Sequence, residues 1–308
     1  MSVAEQTAGS PVDESRLWTN RSPREIAAEV VSKGFDVGPD TVRTILTDDL
    51  GLTPRQAVKD EATCNFPKRD EQFQHIAQLR KTFQREGSPV LSIDTKKKEL
   101  LGNFFRSGRA YTNGRVHVLD HDFATQGHGR MTPYGVYDVT RNEGLMLLSV
   151  GPDTSRLACD AIWRWWQRLG RRHYAGATRM LLLCDCGGSN GYRHNVFKEE
   201  LHYLAEDLGM SIRVAHYPPG CSKYNPIEHR MFCHVTRALQ GVVLQTVAIA
   251  KQFIARATTV TGLRVVAEAA RHSYEKGLPA GAEFITNMPI RFHHLLPTLN
   301  YTAPAPSG

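Results

Sequence analysis

A small, polar stretch runs to about residue 20, and the chain then sets out apolar positions at helical spacing. Ile26/Val30 and Ala27/Val31 recur four apart behind Ser22-Pro23-Arg24-Glu25, which spells a capping box with proline at the first helical position, and Gly34 supplies a stop. A second short helix is predicted from Pro39 to about Asp49, with Val42, Ile45 and Leu46 on its buried face. Two such helices across Gly34-Phe35-Asp36-Val37-Gly38 read as a helix-turn-helix, or equally as a hairpin that only packs. In the first reading Arg43 and Thr44, with Asp40 and Thr41, lie on the outer face and are candidates to meet DNA. Residues 68–86 then make a charged helix with Phe73, Ile76, Leu79 and Phe83 as its apolar stripe.

From Ser88 the period shortens to that of strands. Pro89–Asp94 is a short strand, and the stretch to 150 reads as hairpins turning at Asn113-Gly114 and Arg141–Gly144, with Tyr134–Val139 and Leu145–Val150 paired. A helix from Asp153 to Leu169 carries a wide apolar stripe through Trp165 and Trp166 and is stopped by Gly170. An apolar strand (Met180–Asp185), a helix (Arg193–Leu208), a strand (Ile212–Tyr217) and a helix opening at Asn225-Pro226 follow. Hairpins followed by alternating strands and helices predict an α/β fold, a mixed sheet flanked by helices. The chain divides accordingly: lead-in 1–20, helix-turn-helix-like segment 21–62, connector helix 63–87, main domain 88–240, and C-terminal region 241–308.

Composition adds little to that picture except in charge. With 308 residues, 41% hydrophobic and 22% charged, the chain is neither disordered nor fibrous. The net charge is +7, and eight Lys/Arg against three acids place most of it after Glu228, which suits a polyanionic partner. No apolar run approaches the ~18 residues that span a bilayer, so a cytoplasmic protein is expected. Six scattered cysteines point to reduced thiols.

Three acids stand at element ends: Asp94 and Asp185 close strands, and Glu228 lies in the first turn of the late helix. Ligands of open α/β sheets bind outside the carboxyl ends of the strands, so the two aspartates are placed to converge. A carboxylate cluster repels itself and calls for cations. Two Mg2+ about 3.5–4 Å apart would satisfy it and would serve in-line phosphoryl transfer. Each acid also has a plainer reading: Asp94 and Asp185 as turn residues, and Glu228 as the N3 partner of an Asn225 capping box. Lys96, Lys97 and Lys98 follow the first aspartate as phosphate contacts or as a solvated face. Asn190, His216, Ser222, Lys223, Asn225 and His229 are candidates to line the same crevice. Cys184, Cys186, Cys221, His229 and Cys233 allow a zinc reading that lacks a second short-spaced cysteine pair.

The stretches Val90–Phe104, Pro133–Asp138, Asp185–Arg193 and Pro218–Phe232, in this order, resemble the bacterial insertion-sequence DDE transposases of the Azo-thirteen type, the Rhodopirellula-type transposase DDE domain. The resemblance runs from about residue 20 to 300. It implies an RNase H-like core with Asp94, Asp185 and Glu228 as the catalytic and metal-binding triad, holding two Mg2+ or Mn2+ ions. It implies hydrolysis of a phosphodiester at transposon ends and attack of the freed 3′-OH on target DNA. The implied partners are double-stranded DNA and a second copy of the chain, as a homodimer or larger assembly, in a nucleoid-associated setting. Cys186 stands where the family usually has glycine, and the N-terminal DNA-binding region is shorter than usual. An RNase H-like nuclease that does not join strands, or a DNA-binding protein on an inactive core, are the alternative readings.

Overall fold

Ser22 caps the first helix as its spelling predicts. In the computed structural model, which describes residues 19–55 and 66–306, α1 (Pro23–Ser32) opens with the Ser22 hydroxyl accepting from the Glu25 N–H at 3.3 Å and Glu25 Oε2 accepting from the Ser22 N–H at 2.7 Å. The lead-in lies, apart from its last two residues, outside the described residues. After Gly34, at φ +91°, α2 (Pro39–Thr44) continues as a π-helical turn, Ile45–Asp49. Ala27 and Val42 are buried, but Ile45 is 41% exposed. The wider turn breaks the 3.6-residue phase that was to bring Ile45 under Val42. These helices belong to one unit, Met1–Glu61, and everything that follows belongs to a second, Ala62–Gly308.

The stripe of α3 (Arg69–Arg85) buries Ile76 and Phe83 in the core of the second unit. Gln72, fully buried, donates to the His216 carbonyl at 2.8 Å and to Asn300 Oδ1 at 3.0 Å. The expected connector is therefore part of the main domain. Its strands are β1 (Val90–Thr95), β2 (Glu99–Leu100), β3 (Arg130–Asp138) and β4 (Glu143–Val150). Next come α4 (Ser155–Trp165), α5 (Arg171–His173), β5 (Arg179–Cys184), α6 (Asn195–Leu208) and β6 (Ser211–His216). A π-helical turn, Glu228–Phe232, leads into α7 (Cys233–Ala238) and α8 (Val247–Ile254), and β7 (Arg264–Ala269), α9 (Ala282–Asn287), β8 (Arg291–Phe292) and β9 (Asn300–Ala303) complete the unit.

One sheet runs in the order β7-β4-β3-β1-β5-β6-β9-β8, with β2 paired to β3. The antiparallel β4-β3-β1 meander followed by parallel β5 and β6 gives the RNase H-like fold, a mixed sheet with helices on both faces. On one face α4 and α6 cover Leu91, Ile93 and Tyr134. On the other, α3, α7 and α8 cover Val90, Met146 and Leu183. Alternation along β1 divides its residues between the two cores.

Three expectations are corrected here. Residues 101–129 hold no strand, only a short 3-10 turn at Ala124–Gln126, and Phe105, Tyr111 and Val116 stand exposed, so the apparent alternation there had no face to bury. The C-terminal region is no separate appendage: β7 pairs parallel with β4 and β9 antiparallel with β6, extending the sheet on both sides. Gly170 does not stop its helix, which runs on through the π-helical turn Trp166–Gly170 into α5. A Cβ there would lie 2.6 Å from both the Trp165 and Trp166 rings, so glycine serves ring packing. Among the described residues no helix is long and apolar enough to cross a membrane.

Two more glycines let the Glu228 segment lie flush on the sheet. A Cβ at Gly135 would meet the Phe232 ring at 2.5 Å and Ile227 Cδ1 at 2.8 Å, and one at Gly144 would meet Met231 Sδ at 2.5 Å. Gly135→Ala is expected to overpack this contact and cost about 1–3 kcal/mol, lowering Tm by several degrees. Gly114→Ala, with open space around its Cβ, is the matched control. Equal melting of the two variants in calorimetry would refute the close docking.

Candidate active site

Asp94 and Asp185 meet because their strands are neighbours. β1 and β5 run parallel with Val90 opposite Leu181 and Ser92 opposite Leu183. Two residues further on, that register sets Asp94 beside Asp185. The Thr95 N–H donates to Asp94 Oδ1 at 2.7 Å, and the Gly187 N–H donates to Asp185 Oδ1 at 3.2 Å. Each aspartate is thus oriented by the backbone that follows it, but both remain close to other acids, which a turn residue alone would not require.

Glu228 arrives from another part of the chain, fastened by a buried polar knot. Ser92 Oγ donates to Asn225 Oδ1 at 2.5 Å and accepts from the Ile227 N–H at 2.9 Å, while Asn225 Nδ2 donates to the Ile93 carbonyl at 3.1 Å. Asn225 is fully buried and spends its side chain on β1, so it is not the capping-box partner of Glu228. His216, also fully buried, donates from Nδ1 to the Asp185 carbonyl at 2.7 Å and accepts at Nε2 from Tyr301 at 3.1 Å. Burial holds its pKa down to about 4, so it is a neutral brace for the Asp185 backbone.

Burial, then the charges of Asp185, Glu228 and Asp153, push the Asp94 carboxyl up to about 8, although the Thr95 N–H opposes the rise. Asp185 is pushed up to about 6, by burial first and then by Glu228 and Asp153. Asp153 was not among the expected residues. It lies just beyond β4, whose carboxyl end opens on the same edge as those of β1 and β5, and the strand-end rule extended to β4 finds it. Its carboxylate accepts from Thr95 Oγ1 at 3.0 Å and from the Ser189 N–H at 3.3 Å.

The other candidates separate. Lys97 and Lys98 are exposed, whereas Lys96 is buried with its ammonium 2.7 Å from Glu99, which also takes Arg106 at 2.8 Å. Lys96 therefore belongs to an internal ion cluster and presents no surface to a phosphate. Asn190 is fully buried, with its carboxamide against the Cys184 thiol. Ser222, Lys223 and His229 are exposed, with the Lys223 ammonium over the Tyr224 ring. Arg43 and Thr44 lie exposed in the first unit, Arg43 paired with Asp40 at 3.0 Å.

The carboxylate oxygens of Asp94, Asp185 and Glu228 are hard donors of the kind that suit a divalent cation. As they stand, no three His, Cys, Asp or Glu side chains among the described residues are gathered at ion-holding spacing. The cysteines are used otherwise: Cys184 is buried, Cys186 donates to the Tyr217 carbonyl at 2.9 Å, and Cys233 donates to the His229 carbonyl at 2.9 Å. Cys186 is thereby turned toward Tyr217.

The family model described as the Rhodopirellula transposase DDE domain matches residues 1–305. Among solved structures the chain is similar to one described as "Crystal structure of a pre-cleavage Mos1 transpososome", at 12% identity and TM-score 0.46, over 76% of this chain and 66% of that one. It is likewise similar to "Mos1 transposase paired-end complex with left transposon end", at 12% identity and TM-score 0.42, over 71% and 61%. The chain spans just under two thirds of the length of these chains. No curated protein matches it.

A folded-state carboxyl raised from its ordinary value keeps a proton that the unfolded chain gives up, so Asp94 subtracts stability as pH rises from about 4 to about 8. With chelator present, Asp94→Asn is expected to melt higher than the native chain at pH 8, and this gain is expected to fade toward pH 4. A gain that does not vary with pH would show that the Asp94 charge is not the cause.

Proposed function

Because the chain belongs to the Rhodopirellula transposase DDE domain family, we propose that it is a DNA transposase that hydrolyses a phosphodiester at transposon ends and joins the freed 3′-OH to target DNA. The observation that carries this reading is the convergence of Asp94, Asp185 and Glu228 from three separate segments, close enough that the charges of Asp185 and Glu228 raise the Asp94 carboxyl and that of Glu228 raises Asp185. Such an arrangement is costly unless cations neutralise it. Asp94, Asp185 and Glu228 would hold two Mg2+ or Mn2+ ions, which supply Lewis acidity for phosphoryl transfer.

The chain's own residues do the rest. The Thr95 and Gly187 N–H groups fix which aspartate oxygens remain available. His216 keeps the Asp185 backbone in place without adding positive charge. Lys97, Lys98 and Lys223 offer point charges to phosphates flanking the cut, and Arg43 and Thr44 offer a second contact surface on DNA. Two ends must meet for joining, so the working form is a dimer or a larger assembly of this chain.

The test uses a pre-cut duplex of the element's own terminus, with a free 3′-OH, and plasmid target in Mg2+. Joined product is expected, and it is expected to fall more than about 100-fold in Asp94→Asn, Asp185→Asn and Glu228→Gln, with DNA binding retained. Hydrolysis of an intact terminus without joining of the pre-cut one would identify a nuclease; binding with neither activity would identify a DNA-binding protein.

A further inference from the structure

Beside the three acids, Asp153 uses its two carboxylate oxygens on two different loops. Oδ1 accepts from the Thr95 hydroxyl at 3.0 Å, and Oδ2 accepts from the Ser189 N–H at 3.3 Å. Thr95 is the residue whose N–H orients Asp94, and Ser189 closes the turn whose Gly187 N–H orients Asp185. A continuous hydrogen-bonded path therefore runs from the Asp94 carboxyl through Thr95, Asp153 and the 187–189 turn to the Asp185 carboxyl. Ser155, next to the Thr154 that caps α4, reinforces it by donating from Oγ to the Ser189 carbonyl at 2.7 Å.

Nothing in the packing demands an acid here. α4 is already capped by Thr154, whose hydroxyl accepts from the Leu157 N–H, and Asp153 makes no ion pair among the described residues. Its carboxylate instead adds charge to a cluster that already repels itself. A neutral asparagine would fill the same space with less repulsion. What it lacks is a second acceptor oxygen, because its amide nitrogen would face the Ser189 N–H donor to donor.

We propose that Asp153 is a positioning residue for the phosphoryl-transfer site, setting the separation and orientation of Asp94 and Asp185 by bridging Thr95 to the turn after β5. This rests on the transposase reading given above, and it adds a fourth acid that acts through the other two. Thr95 is the serving partner on one side and Ser155 the brace on the other.

The experiment compares Asp153→Asn, Thr95→Val, Thr95→Ser and the double variant Asp153→Asn/Thr95→Val in the full chain. It measures cleavage rate, Mn2+ affinity by electron paramagnetic resonance without DNA, DNA affinity in chelator, and Tm. Asp153→Asn and Thr95→Val are each expected to lower cleavage and Mn2+ affinity about 10–100-fold, the usual effect of losing a group that orients a metal ligand. DNA affinity is expected to stay within about twofold, and Tm to fall by no more than a few degrees. The double variant is expected to be no worse than the weaker single one, because both remove the same bridge. Thr95→Ser keeps the hydroxyl and is expected to recover most of what Thr95→Val loses.

Additive losses, native Mn2+ affinity in Asp153→Asn, or a Thr95→Ser variant as weak as Thr95→Val would overturn the bridge while leaving the transposase reading intact if the native chain still cuts and joins. A native chain that binds Mn2+ tightly yet neither cuts nor joins would overturn that reading instead, and the Mn2+ comparison would still decide whether the bridge orders the two aspartates.

Discussion

The candidate active site depends on a few buried hydrogen bonds between Ser92 and the Asn225–Ile227 segment. Parallel pairing of β1 and β5 brings Asp94 and Asp185 together without further help, because adjacent strands are about 4.8 Å apart and the two residues share a register. Glu228 has no such guarantee. It follows a loop that leaves β6, and only when Asn225 satisfies Ser92 Oγ and the Ile93 carbonyl is its turn held at the end of β1. Unpaired buried groups of this kind would each cost about 1–3 kcal/mol, so the knot is strongly favoured over any looser docking. Gly135 and Gly144 then remove the side chains that would hold the helix away from the sheet.

Those contacts work against an electrostatic gradient. Four carboxylates meet at one edge, and burial plus mutual repulsion lifts the proton affinity of both aspartates. The scaffold tolerates this because the surrounding core is apolar and continuous on both faces of the sheet, from Leu91 and Trp165 on one side to Leu183 and Ile227 on the other. Lys96 illustrates the same economy of charge. It is next to the site in sequence, but it is folded inward to neutralise the buried Glu99, leaving Lys97 and Lys98 as the outward cations.

Most of the element plan was legible because the elements carry strong periods. The β3–β4 hairpin, the apolar β5, the α6 stripe ended by Gly209 at φ +62°, and the Ser22 capping box all occur within a few residues of where patterning puts them. The failures have local causes. Gly170 reads as a stop, but the requirement it meets is the proximity of two indole rings, which leaves no periodic signal. The strands β7 and β9 are short and pair with partners distant in sequence, so the C-terminal region was divided from the main domain. Of the candidate site, the adjacency of Asp94 and Asp185 was legible from strand ends. The inward turn of Lys96 and the bridge made by Asp153 were not, since facing in or out and bridging between loops are decided by tertiary contacts.

Asp153 also shows why an acid list is an incomplete description of such a site. A carboxylate is recognised in sequence by its place at the end of an element, and Asp153 has that place as surely as Asp94 does. It was hidden because Thr154 and Ser155 beside it spell an ordinary helix start, which explains an acid there without reference to any partner. The structure separates the two readings through the oxygens. A residue that only starts a helix would turn its carboxylate to the first-turn N–H groups, whereas Asp153 leaves the Leu157 N–H to Thr154 and turns to Thr95 and Ser189. The direction in which a side chain spends its hydrogen bonds, rather than its position in the element, is what joins β1, β4 and β5 into one site.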